Sequence, residues 1–194
     1  MSTTQLETEI DLFTGVYKTY HENGKLESEV FKLNGKANGL YKEYYESGHI
    51  ICEVNLIDGK QNGIARTYSE SGHITCEFNF IDGKENGIKK SYWKSGQLSS
   101  EVQFINGLEN GIQKEYYESG QLRSEVGFIN GNKNGIYRAY RESGQLDYET
   151  NFIDGKRNGI HRSYCELEQL YYEVNFIDGK EIGTIKTVSC IRTT

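Results

Sequence analysis

Apolar and polar positions along the chain recur with a single period, and glycine marks it. Gly15, Gly39, Gly63, Gly87, Gly111, Gly135, Gly159 and Gly183 follow one another at 24 residues without insertion. Two further ladders, Gly24 to Gly144 and Gly35 to Gly179, keep the same step, and together the three hold 21 of the 22 glycines. Each unit is numbered here from zero at its first Gly, so that the fifth reads GIQKEYYESGQLRSEVGFINGNKN over residues 111–134. Positions 11, 15, 17 and 18 are mostly Leu/Ile, Val, Phe and Ile. Apolar residues at 11, 15 and 17 keep the two-residue alternation of a half-buried strand, in residue types that suit a pleated surface. Glu-Ser-Gly at 7–9 and Asp/Asn-Gly from 19 are turn signals, where glycine supplies a positive φ without steric cost. Twenty-four residues with two turns leave room for two short strands and no helix. The pattern predicts an all-β protein, an elongated single-layer antiparallel meander of stacked β-hairpins. Residues 1–14 form an N-terminal cap, 15–182 seven hairpin repeats, and 183–194 a C-terminal half repeat or cap.

The length of the first turn decides which residues share a face. A two-residue Ser-Gly turn would set position 3 opposite position 14 and split the apolar set between faces. A three-residue Glu-Ser-Gly loop, a type I turn closed by glycine in the left-handed region, puts positions 1, 5, 11, 15 and 17 on one side. The second is preferred, because burying one apolar face outweighs a solvated ion pair. Positions 2, 4, 6, 10 and 12 then form the polar face. At about 4.8 Å per strand each unit advances roughly 10 Å. Such a sheet carries no second layer of its own, so its apolar face must be covered by curling, a second copy or a partner.

Position 3 is basic in every unit, from Lys18 to Lys186, while position 5 is Tyr and position 14 Glu in all seven full units. A catalytic constellation is built once, from unlike groups; a motif present in every unit meets a need that every unit has. These rows are read as structural charge ladders, with no catalytic residue, no cofactor and no metal. His49-x-x-Cys52 and His73-x-x-Cys76 superficially resemble a zinc site. Their odd spacing places His and Cys on opposite strand faces, and equivalent strands lie about 10 Å apart, beyond a shared ion or a disulfide.

Composition narrows the function. The formal net charge is −6, only 36% of residues are apolar, and Pro is absent. The acidity and the glutamate row disfavour nucleic acid and anionic membranes as partners. No apolar run approaches a membrane span and the N-terminal residues lack the features of a secretory signal, so the expected location is cytoplasmic.

Gly, Tyr five residues on, Asn/Ser-Gly, then Leu/Ile, Glu, Phe and Asp/Asn-Gly-Lys: this order resembles the MORN-repeat variant over residues 15–183. The resemblance implies stacked hairpins in one long twisted sheet and a non-catalytic role. Bacterial members with this variant are described as the antitoxin half of a toxin–antitoxin pair. Two departures, Leu167-Glu168 in place of Ser-Gly and Ile182-Gly183-Thr184 in place of Asn-Gly-Ile, fall where an array needs an atypical cap. The expected partner is a protein, toxin or structural, bound along an extended face. The alternatives are a homodimeric, self-associating scaffold or particle component, and anionic lipid binding. Varied positions on one face can encode a partner, which singles out Tyr41 and Tyr137 at position 2 and Tyr45, Trp93, Tyr117 and Arg141 at position 6. A solvated face of drifting sequence is the competing reading. Because Ser69 and Cys165 also serve at position 6, replacing Trp93, Tyr117 and Arg141 with Ser is expected to leave melting nearly unchanged while weakening partner binding.

Overall fold

The structure, a computed structural model, describes residues 13–187, so most of the predicted N-terminal cap and the last seven residues lie outside the described residues. The chain forms one 18-stranded sheet in which each strand pairs antiparallel with strands one or two places away in sequence. No helix occurs among the described residues. The fifth unit is representative: Gly111–Tyr116 runs out, Leu122–Ile129 returns, and a two-residue strand Asn132–Lys133 leads into the next unit.

Both turn types follow from local chemistry. At one edge Tyr117 N bonds Gln121 O and Gly120 N bonds Tyr117 O, both at 2.9 Å, closing the three-residue Glu-Ser-Gly loop on Gly120 at φ 86°. In the seventh unit Glu168 takes that place at φ 58°, a conformation that costs a side-chain-bearing residue about 1 kcal/mol or more. At the other edge Asn130 and Gly131 both have positive φ, 50° and 82°, as the tightest hairpin turn requires.

The loop is the expected one, but the faces are not as expected. Tyr116 pairs with Leu122, yet Glu115 pairs with Ser124, so Arg123 is an extra residue bulged out of the ladder. The same slip occurs at position 12 of every hairpin. One inserted residue reverses the facing of everything beyond it. Position 3 therefore does stand opposite position 14, as in Lys114↔Glu125, and position 2 opposite 15, as in Gln113↔Val126. The expectation that positions 1, 5, 11, 15 and 17 share a face is corrected: 15 and 17 lie with 2, 4 and 13, while 1, 3 and 5 lie with 14, 16 and 18.

The first of these faces holds the core. Val126, Phe128, Val174, Phe176 and Thr150 are buried there, as are Ala65 and Ala139. With no second layer, such burial arises because the sheet curls toward this side and packs side chains of successive units together. A second irregularity governs the other face. Between units Val54 pairs with Ala65 but Leu56 with Gln61, so Gly63 and Ile64 stand out of the ladder. Gly63 has φ 87°, and the equivalent Gly111, at φ 107°, leaves only 3.1 Å between a would-be Cβ and Gln103 Oε1. Glycine here lets the chain turn its next side chain outward.

Candidate interaction surface

The outward face carries two kinds of row. Along its middle, Lys/Arg at position 3 and Glu at position 14 alternate strand by strand, each Glu flanked by a cation of its own unit and one of the next: Glu125 faces both Lys114 and Arg138. Arg138 reaches Glu125 at 3.4 Å and Glu149 at 3.6 Å, and Arg162 reaches Glu149 at 3.6 Å and Glu173 at 2.9 Å. Position 5 completes the network, donating backward by one unit. Tyr44 Oη donates to Glu29 at 2.8 Å, Tyr68 to Glu53 at 2.9 Å, and Tyr116 to Glu101 at 2.9 Å. The hydroxyl of Tyr44 together with Lys18 and Lys42 holds Glu29 below the ordinary carboxylate range. Burial and the bonded carboxylate push Tyr44 and Tyr116 up to about 12.

These tyrosines set an alkaline limit. Their folded pKa is raised, so the stabilisation they give is complete below the unfolded value near 10 and is lost as pH rises toward 12. Melting temperature should fall over that window. Tyr44→Phe with Tyr116→Phe, which removes both titrations, should flatten the fall in melts followed by circular dichroism; an equally steep fall would separate these residues from it.

The six residues singled out by variability do not form one exposed polar face. Tyr41 and Tyr137 at position 2 lie half-buried on the core side, with Tyr137 stacked on Tyr148 at 5.5 Å. Position 6 joins units. Tyr45 Oη donates to Tyr68 O at 3.0 Å, Trp93 Nε1 to Tyr116 O at 3.2 Å, Tyr117 Oη to Tyr140 O at 2.7 Å, and Arg141 Nη2 to Tyr164 O. Each acceptor is the carbonyl of position 5 in the following unit. Arg141 also holds Asp147 through Nε and Nη2 at 3.0 and 2.8 Å. Ser69, too short to reach across, bonds within its own turn to His73 O at 3.3 Å.

Sequence variability missed the surface that is exposed and apolar. Position 1 (Val16, Leu40, Ile64, Ile88, Ile112, Ile136, Ile160) and position 18 (Leu33, Ile57, Ile81, Ile105, Ile129, Ile153, Ile177) are exposed throughout, at 43–60%. Position 1 pairs with position 16 in each hairpin, so position 18 is its diagonal neighbour, within roughly 7–8 Å. The two rows merge into one band beside the charge ladder. Shallow grooves cross it between units: one is lined by Ile88, Gln103, Gly111 and Ile112, another by Ile160, Asn175, Ile182 and Gly183. The signal available in the sequence was invariance, an aliphatic residue kept at both positions in every full unit.

On the core side, cations lie over aromatic rings: Lys89 over Phe78 at 4.7 Å, Lys133 over Tyr137 at 5.3 Å and Arg157 over Phe176 at 5.3 Å. His161 sits among Tyr148, Tyr172 and Phe176, and burial lowers its pKa. Cys52 and Cys76 are free thiols two strands apart, each pairing with Thr67. Among the described residues no group of three or more His, Cys, Asp or Glu is placed to hold a metal ion, and no helix is long and apolar enough to cross a membrane.

The family model of the MORN repeat variant matches six consecutive segments, residues 13–31, 37–58, 61–82, 85–106, 109–130 and 133–154, well over half of the chain. No curated protein matches the chain. Among solved structures, a mutant of the S. aureus protein TarM in complex with fondaparinux, α-GlcNAc-glycerol and UDP aligns at 10% identity over 62% of this chain and 21% of that one, with a TM-score of 0.35. A second TarM structure aligns at 14% identity over 50% and 19%, with a TM-score of 0.34. The chain thus spans about a fifth of the length of either.

Proposed function

Since the chain belongs to the MORN repeat variant family, we propose that it is a non-enzymatic array that binds a protein partner along an extended face. The observation that carries this reading is the exposed aliphatic band. An apolar strip of this extent is unusual on a monomer surface and marks a place where another surface sits. The polar groups beside it support a binding role over a chemical one, because each Glu of the ladder is engaged by its neighbouring cations or tyrosine. The most specific form of the proposal is an antitoxin or immunity-like role, which rests on the family resemblance.

The test compares two baits in the native cell: the wild-type chain and a variant carrying Ile88→Thr, Ile105→Thr, Ile112→Thr and Ile129→Thr. Threonine keeps the β-branch that suits a strand while removing apolar surface. A partner recovered by the first and lost by the second supports the proposal. Equal recovery by both would move binding off the band. The antitoxin form further requires that the partner arrest growth when expressed alone and be relieved by this chain.

A further inference from the structure

We propose that the band is covered by a second copy of this chain, the two outward faces meeting about a two-fold axis. The inference rests on the reading of the band as a protein-binding face and names its occupant as the chain itself, in place of a growth-arresting partner on that face. Three observations point to it.

The first is area. A fully buried Val, Leu or Ile side chain takes roughly 60–120 Å² of apolar surface out of water. Fourteen such residues at 43–60% exposure therefore offer roughly 600 Å². Specific interfaces bury about 1,200–2,000 Å² over both partners, and two such bands together, about 1,200 Å², reach the lower end of that range.

The second is pitch. The aliphatic side chains of position 1 recur once per unit, roughly 10 Å or two strands apart, and grooves lie between them at two places three units apart. The surface whose ridges match that spacing unit for unit is another copy of the band. A two-fold arrangement lets the ridges of each enter the grooves of the other with one patch serving both sides.

The third is charge. The chain carries a net −6, which would oppose self-association over most of its surface. On the outward face the seven cations of position 3, Lys18 to Arg162, are matched by the seven glutamates of position 14, Glu29 to Glu173. Excess acid sits instead at the hairpin tips, where Glu22, Glu46, Glu70, Glu118, Glu142 and Glu166 are all exposed. Of the approaches open to two identical acidic chains, face to face on the band meets a balanced surface.

The experiment is sedimentation velocity with light scattering on the full chain across a wide concentration range. Three proteins are compared: wild type, the fourfold Ile→Thr variant, and a control with Glu118→Ser and Glu142→Ser off the face. The wild type and control should have the mass of two chains. The fourfold variant should have the mass of one, its dimer Kd raised by roughly a hundredfold or more, with an unchanged sheet spectrum. A wild type that stays a single chain at every concentration overturns the inference, as does a fourfold variant that remains dimeric. The broader reading fails separately: if the fourfold variant still captures the cellular partner, the band is not the partner's site, whatever the mass of the wild type.

Discussion

Phe128→Ala lowers the free energy of unfolding by about 3–5 kcal/mol, whereas Ile129→Ala, one residue along the same strand, costs about 1 kcal/mol or less. The two are neighbours in sequence and comparably apolar, but Phe128 is 7% exposed and Ile129 53%. Deleting Phe128 leaves a void among side chains that curl in from adjacent units, and close-packed surroundings refill such a void only in part. Deleting Ile129 removes atoms already in contact with water. Urea unfolding at low protein concentration, where association does not contribute, reads both. Equal losses at the two positions would mean that position 17 is not packed in the core while position 18 is open to water.

Replacing Trp93, Tyr117 and Arg141 together with Ser lowers stability by about 3–5 kcal/mol, and the loss concentrates in the fourth to seventh units. Each side chain spans from its own turn to the backbone of the next unit, bonding the carbonyls of Tyr116, Tyr140 and Tyr164 in succession. A neutral hydrogen bond is worth a net 0.5–1.5 kcal/mol and one to a charged group 1.5–3 kcal/mol, and the lost ring contacts add to that sum. This reverses the expectation drawn from variability alone. Amide exchange should show lost protection around those carbonyls while the first two units keep theirs. An unchanged melt would return position 6 to the role of a free recognition surface.

The glycine period, both turns and the antiparallel meander were legible in the sequence because each is written in residues with a single physical meaning at that place. A Gly every 24 residues, or an Asn-Gly pair before a Lys, admits few conformations. The faces were not legible. Leu122, Val126 and Phe128 are separated by even numbers, which in an unbroken strand means one side. The extra residue Arg123 breaks the count, and nothing in Ile51, Thr75, Ser99, Arg123 or Asp147 marks position 12 as a bulge. Ile112 reads as core by composition, and only the backbone course at Gly111 shows it turned outward. Variability misled at position 2 because the curled face accepts Ala65, Lys89, Gln113 or His161: a long cation such as Lys89 lies across Phe78 and Phe104 instead of seeking water. Variability misled again at position 6, where Tyr, Trp and Arg each reach the same carbonyl by different chemistry.

Because strands make their substantial contacts with strands one or two places away in sequence, the molecule is a chain of like links more than a solid. A lesion in one link is felt by its two neighbours and fades beyond them, as in other one-dimensional arrays. The cross-unit bonds repeat with the same partners at each step, so loss of one whole link, such as residues 87–110, would splice Asn86 to Gly111 and leave each remaining glutamate of the ladder between two cations. Length can therefore be inherited in increments without redesign of the surface. Gain or loss of a unit changes the length of the sheet by a proportionate step, while the surroundings of every remaining unit stay the same.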